Sequence, residues 1–331
     1  MSDLTHNLKS LSFEKGLSES EIGHIPLRAH SAALTVCGCA HAIFLLQLHH
    51  SIRCSIQSHC AHKSRLLSRE LRVGIVGMGH LGKQLLLSIL NKTPITESEI
   101  KVSTRRPEYA EDVAPGVECF FDNVRLAQWA DVLFLCCLPS HLPSVCADLS
   151  SHLCTHTIVY CFSSAVPISR LIQLLGHNFV LKSQYDTSAC DSPNIWMTCT
   201  HLCTSRVLNE PFFIKSSSPL SPNRRYSHSL SLTWVCAVLN SLVNICTAAQ
   251  LGCKETLYVI NHLFKGKLCL DAQDVYSTSS LSANQSFPWI PANEANIRKT
   301  PLYSILLNSK STQDCISALF TALLEPTPQA D

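Results

Sequence analysis

Val73-Gly74-Ile75-Val76-Gly77-Met78-Gly79-His80-Leu81-Gly82 decides the fold of this 331-residue chain. The mostly apolar run 71–76 predicts a short buried strand, closed on its C-terminal side by glycines. From His80 onward, apolar residues recur at Leu81, Leu85 and Ile89, with Leu86 and Leu90 beside them, which is helical spacing. Between strand and helix, Gly77, Gly79 and Gly82 spell G-x-G-x-x-G, with Met78, His80 and Leu81 filling the loop. Each glycine has a physical task in a dinucleotide site. Gly77 permits the tight turn, Gly79 keeps a Cβ out of the space of a pyrophosphate, and Gly82 lets the helix pack close to the strand. The helix start adds free N–H groups and the positive end of its dipole. The chain has only 11 glycines, and four of them (Gly74, Gly77, Gly79, Gly82) fall within nine residues.

Outward from this stretch the pattern alternates. Further strands are predicted at 100–103, at 117–121 after the turn Pro115-Gly116, and at 132–137, 157–162 and 179–181. Helices are predicted at 123–129, from Pro143, and at 167–175, the last stopped by Gly176. This is the signature of an α/β chain with a Rossmann-type doubly wound parallel sheet over residues 70–189.

Residues 1–69 read as an N-terminal helical extension and linker. Ser18-Glu19-Ser20-Glu21 is placed as a capping box, 32–48 is an apolar helix interrupted by His41 and Gln47, and 53–70 is a polar linker. Seventeen residues is the lower limit for spanning a bilayer, so a buried or partner-facing helix is favoured over a membrane anchor. Asp3, Glu14, Glu19 and Glu21 argue against a mitochondrial transit peptide. Residues 190–331 read as a divergent, mainly helical C-terminal domain. Its helices are predicted at 229–250, 254–264 and 312–324, the last capped by Ser311 or Asp314, with loops at 216–222 and 277–291.

Composition excludes several classes. With 46% apolar and 15% charged residues, the chain suits a soluble globular protein with a sizeable core. Net charge is +2 with no long Lys/Arg run, so no nucleic-acid partner is expected. The 18 cysteines are scattered and often lie in apolar runs, as at Cys136-Cys137 and Cys236, which points to free thiols in a reducing, cytoplasmic compartment. Cys199, His201 and Cys203 form C-x-H-x-C, a spacing suited to an extended strand more than to a tetrahedral site. No second pair follows, and no metal is expected.

The end of the second strand distinguishes the two nicotinamide cofactors. Here it reads Ser103-Thr104-Arg105-Arg106, and no acid follows until Glu108. Two hydroxyls and two guanidinium groups suit a 2′-phosphate, so the expected cofactor is NADP(H).

The glycine loop 77–82, the strand end 103–106, the run Ala130-Asp131-Val132-Leu133-Phe134-Leu135 leading to Leu138-Pro139, and Ser163-Ser164-Ala165-Val166-Pro167-Ile168 together resemble the pyrroline-5-carboxylate reductase family. The resemblance covers residues 72–181. It implies hydride transfer from NADPH to a cyclic imine carboxylate and an all-helical C-terminal domain that dimerises. It also implies cofactor contacts from Leu138, Pro139 and Ser163. The chain departs from the family at Leu138-Pro139, where the family has Lys-Pro, and at Lys182-Ser183-Gln184-Tyr185-Asp186-Thr187-Ser188, where it has Arg-x-x-x-Asn-Thr-Pro. The family's Ser-Gly-Pro-Ala segment and Gly-Gly-Thr turn have no counterpart.

The expectation is hydride exchange between nicotinamide C4 and a small C=N or C=O substrate. Lys182, Tyr185 and Asp186 are the nearest ionisable groups able to orient substrate or supply a proton, and no catalytic residue is assigned. The alternative is a catalytically inactive NADP-binding module that acts through a protein partner held by residues 1–69.

Overall fold

Six parallel strands lie at the centre of the molecule: β1 Val73–Val76, β2 Ile100–Ser103, β3 Glu118–Phe120, β4 Val132–Leu135, β5 Ile158–Cys161 and β6 Val180–Lys182. The structure is a computed structural model and describes residues 18–59, 70–108, 113–185, 194–220, 232–266, 268–276, 284–291 and 300–325. The strand order is β3-β2-β1-β4-β5-β6. Val73 stands beside Ile100 on one side and Val132 on the other. The order reverses between β1 and β4, so the crevice between their carboxyl ends is the expected ligand position in an open α/β sheet.

Each observed strand falls within a residue or two of its predicted position, because a strand covered on both faces must be apolar along its whole length. The labelled helices are α1 Ile25–His59, α2 His80–Lys92, α3 Asn123–Trp129, α4 Leu142–Leu149, α5 Ile168–Leu175, α6 Leu232–Ala248, α7 Cys253–Leu263, α8 Pro301–Asn308 and α9 Lys310–Leu324. Asp122 caps α3 by accepting from Arg125 N at 2.8 Å, and Gly176 ends α5 at φ +60°.

Side-chain alternation divides the sheet into two faces. Leu133, Leu135, Val159, Cys161 and Val180 share a core with residues of α3, α4 and α5. Val132, Phe134, Ile158, Tyr160, Phe179 and Leu181 point to the opposite face. The crossovers after β3, β4 and β5 all carry their helices to the first face, as right-handedness requires. The second face would therefore be bare beyond α2. α1 covers it, packing against α2, α6, α7 and α9. Residues from Ala29 to Ile56 of α1 belong to this core.

α1 corrects the sequence reading in its length. The helix does not stop near residue 48 and give way to a linker; it runs on to His59. The charge that suggested a linker, Arg53, is buried and meets Asp131, which sits just before β4: Arg53 Nη1 is 3.3 Å from Oδ2. Asp131 also accepts from the Arg72 backbone N–H at 3.2 Å, and its other oxygen lies 3.6 Å from Arg72 Nη2. Of the two expected states of the apolar helix, buried or partner-facing, α1 shows the first: its apolar side is turned into this chain. By length and composition α1 is able to cross a membrane, but most of it is buried inside the fold.

Three smaller corrections concern the C-terminal region. α9 begins at Lys310, and its cap is Ser309, whose Oγ accepts from Thr312 N at 3.2 Å, rather than Ser311 or Asp314. α8 was not expected; Pro301 occupies its first turn and Thr300 caps it. Cys199 and His201 lie on a 3-10 turn, Thr198–His201, with Cys203 just beyond, so the C-x-H-x-C segment is not a strand. Of the loop predicted at 277–291, residues 284–291 carry no helix or strand, and 277–283 lie outside the described residues.

Candidate cofactor cleft

The cleft begins where β1 ends. Gly77 N donates to Ser103 O at 2.8 Å, tying the loop to the end of β2. Gly77 has φ +96°, where an L side chain is strained, and a Cβ there would stand 3.3 Å from the Cys136–Cys137 backbone. A Cβ on Gly82 would overlap the Gly77 carbonyl oxygen. These two positions are glycine because the protein's own packing demands it. Gly79 differs: its backbone is extended (φ −73°, ψ −167°) and a Cβ would meet nothing within 4 Å. Open space therefore lies above Gly79, at the start of α2. The N–H groups of the first turn of α2 have no intrahelical acceptor, and Gly79 offers no side chain to cap them.

At the end of β2, Arg105 and Arg106 are exposed and Thr104 is half-buried. Thr104 N donates to Phe120 O at 2.8 Å, which holds the turn against β3. Ser103 departs from the expectation. It is buried, and its Oγ donates to Asn123 Oδ1 at 2.7 Å, while Asn123 Nδ2 donates to Asp148 Oδ2 at 2.9 Å. The group facing solvent at this end is thus Thr104, Arg105 and Arg106, and Asn123 is a supporting residue the sequence did not single out.

Across the cleft, β4 runs into Cys136, Cys137 and the 3-10 turn Pro139–His141. Leu138 is 64% exposed and Pro139 is also exposed. At the end of β5, Ser163 Oγ is buried with no hydrogen-bond partner among the described residues. Phe162 beside it stacks with Phe134 and lies against Tyr160, with centroids at 6.0 and 4.9 Å. A Cβ on Gly38 of α1 would come within 3.2 Å of the Phe162 ring, so a glycine in mid-helix marks a close approach of α1 to the end of β5.

Lys182 and Tyr185 are turned into the protein. Lys182 Nζ donates to Ser164 O at 3.0 Å and to Val166 O, and burial lowers its pKa. Tyr185 Oη lies 3.0 Å from His41 Nδ1. His41 Nε2 is 2.7 Å from Ser217 O, a carbonyl that can only accept, so the proton of a neutral His41 sits on Nε2. Nδ1 then accepts the Tyr185 proton. His41 is enclosed by Trp234 and Phe320, and burial pushes its pKa down to about 3. Burial likewise raises the Tyr185 phenol well above its usual range. Asp186 lies outside the described residues. The sequence did not assign His41 a role; a lone histidine in an apolar run gives no hint of which distant residue it meets.

The cradle above Gly79 and the orphaned Ser163 hydroxyl fit an elongated dinucleotide laid across the carboxyl ends of the strands. Residues 72–163 match the family model described as NADP oxidoreductase coenzyme F420-dependent. Pyrroline-5-carboxylate reductase of Escherichia coli (strain K12) is 24% identical over 33% of this chain and 41% of its own length. Among solved structures, Plasmodium falciparum pyrroline carboxylate reductase with NADP bound covers 77% of this chain and 97% of its own, at 14% identity and a TM-score of 0.32. The pyrroline-5-carboxylate reductase of Coxiella burnetii covers 78% and 100%, at 16% identity and a TM-score of 0.33. NADP-dependent oxidoreductase domain-containing protein 1 of Mus musculus is 31% identical over 96% of this chain and 92% of its own length. The chain belongs to the family of NADP-dependent oxidoreductase domain-containing protein 1.

Proposed function

We propose that this chain is an NADP(H)-dependent oxidoreductase that moves a hydride to or from a C=N or C=O bond of a small substrate. The observation that carries this reading is Gly79, glycine in an ordinary backbone conformation with empty space where its Cβ would be. When bound, the cofactor supplies the hydride at nicotinamide C4. The chain's own residues do the rest. The first N–H groups of α2 hold the pyrophosphate, with Met78, His80 and Leu81 around it. Thr104, Arg105 and Arg106 hold the 2′-phosphate, Leu138 and Pro139 form an apolar wall, and Ser163 serves the nicotinamide half.

The proton is the discriminating issue. Reduction of a carbonyl leaves an alkoxide that needs a proton, whereas an imine already protonated on nitrogen takes the hydride without one. Lys182 Nζ is buried with two of its N–H bonds on backbone carbonyls, and Tyr185 donates to His41, so neither is set out as a proton donor to substrate. This favours C=N over C=O, with Asp186 retained as the substrate-orienting candidate. The same geometry favours a second reading, an NADP-binding module without turnover that acts on a protein partner. NADPH consumption across a panel of imines, ketones and aldehydes separates the two. Turnover confined to imines supports the first reading, and binding without turnover on any member supports the second.

Two further proposals accompany this function. Every cysteine among the described residues is a free thiol, which supports a reducing, cytoplasmic setting. Exposed Tyr258 on α7 and Leu307 on α8 suit a homodimer through the C-terminal helices, testable by sedimentation velocity.

A further inference from the structure

β6 ends on Lys182, a lysine only 5% exposed and paired with no carboxylate among the described residues. A buried ammonium is costly unless its hydrogen bonds are met. Lys182 meets two of them on one turn, donating to Ser164 O at 3.0 Å and to Val166 O. Two carbonyls two residues apart converge on one nitrogen, which fixes the curvature of the turn. A methionine or leucine would fill the same space in β6 at no desolvation cost. A charged side chain here is therefore better explained by what the turn presents than by the packing of the strand.

The turn presents Ser163. Its Oγ is buried with no partner among the described residues, although a buried hydroxyl almost always has one. It stands at the carboxyl end of β5, beside the β4 exit that carries Leu138, on the edge of the sheet where the cleft opens. We infer that Lys182 is a positioning residue for the nicotinamide half of the cofactor, acting through the turn 163–166 to aim the Ser163 hydroxyl at the carboxamide. A carboxamide is a suitable partner because it both donates and accepts, so a hydroxyl can pair with it in either sense. This inference rests on the proposed NADP(H) binding and adds a role for Lys182 different from contact with substrate.

The test compares two ligands on the full chain: NADPH, and 2′-phospho-ADP-ribose, which keeps the adenosine 2′-phosphate and pyrophosphate but lacks nicotinamide. In Lys182→Met and in Ser163→Ala, NADPH should bind about tenfold more weakly, while 2′-phospho-ADP-ribose stays within about twofold of wild type. A purely structural role for Lys182 would weaken both ligands equally, and that result overturns the inference. Ser163→Ala removes one unpaired hydroxyl and should leave the fold intact, so unchanged NADPH affinity in that variant also overturns it. A wild-type protein that binds neither ligand overturns the cofactor reading itself.

Discussion

At the glycine-loop end of the cleft the contacts on offer are backbone N–H groups around open space. At the β5–β6 end they are side chains already engaged with the protein. Lys182 holds a turn, Tyr185 holds His41, and the buried Ser163 hydroxyl is left without a partner among the described residues. A site built from backbone is ready before the ligand arrives, and its chemistry follows from where glycines stand. A site built from side chains depends on which partner each one finds, and here α1 supplies one of those partners. On the proposed function, the contrast separates cofactor binding from turnover: the first would rest on the backbone at the end of the sheet, while the second must draw on what the fold leaves free.

The largest expected effect breaks the glycine-loop end. Gly79→Val places atoms in the empty cradle without straining an extended backbone, so NADP(H) binding should disappear while the melting temperature stays at the wild-type value. Gly82→Ala should do the reverse first, lowering stability because its Cβ overlaps the Gly77 carbonyl. Calorimetric titration and thermal melts on both variants check the pair. Retained NADPH binding in Gly79→Val would remove the basis for the cleft.

Next comes acid sensitivity of the face covered by α1. His41 and His49 are both buried and neutral, each lowered by burial to about 3, and His49 Nε2 meets Ser241 Oγ at 2.8 Å. The unfolded chain takes these protons near the ordinary value of about 6.5, whereas the folded chain refuses them down to about 3. Between those values the unfolded state binds more protons, so the stability present above about pH 6.5 is lost as pH falls through the window. Two such groups amount to roughly 3–4 kcal/mol by pH 5. Melting curves from pH 7.5 to 5 should show the decline, and a flat profile would contradict the buried neutral assignment.

The smallest effect sharpens the β5–β6 end. Tyr185→Phe keeps the ring against His41 but leaves Nδ1 without its donor, at a cost of about 1–2 kcal/mol. NADPH affinity should not change, because the hydroxyl faces α1. Denaturant midpoints and a parallel titration measure both quantities. A loss of NADPH binding with stability preserved would instead put Tyr185 in the cleft.

The same contrast explains what was legible in the sequence. The strands and the glycine loop were readable because their signals are local: an apolar run of fixed length, and glycines at fixed spacing. The place of Arg105 and Arg106 just past the end of β2 was readable for the same reason. The fate of Ser103 was not, since its hydroxyl turns inward to Asn123, twenty positions on. Arg53 looked like the start of a linker because its partner, Asp131, is 78 residues away. Tyr185 and His41 are separated by 144 residues, and no local pattern links them. The apolar helix was visible in residues 32–48, but its place against the sheet depended on the crossovers after β3, β4 and β5 all falling on the opposite face.

The most direct test of the central claim is cofactor choice. Exposed Arg105 and Arg106 with Thr104 should surround a 2′-phosphate, and each charge-assisted bond to an ionised group contributes about 1.5–3 kcal/mol. Even one such contact means a tenfold or larger affinity gap between NADPH and NADH. Because ligand stabilisation follows the logarithm of concentration over dissociation constant, thermal shifts at equal concentration report that gap. NADPH should raise the melting temperature clearly more than NADH, and changing both Arg105 and Arg106 to Ala should bring the two together, chiefly by weakening NADPH. Equal shifts in the wild-type protein, or a double variant that keeps its preference, would contradict the account.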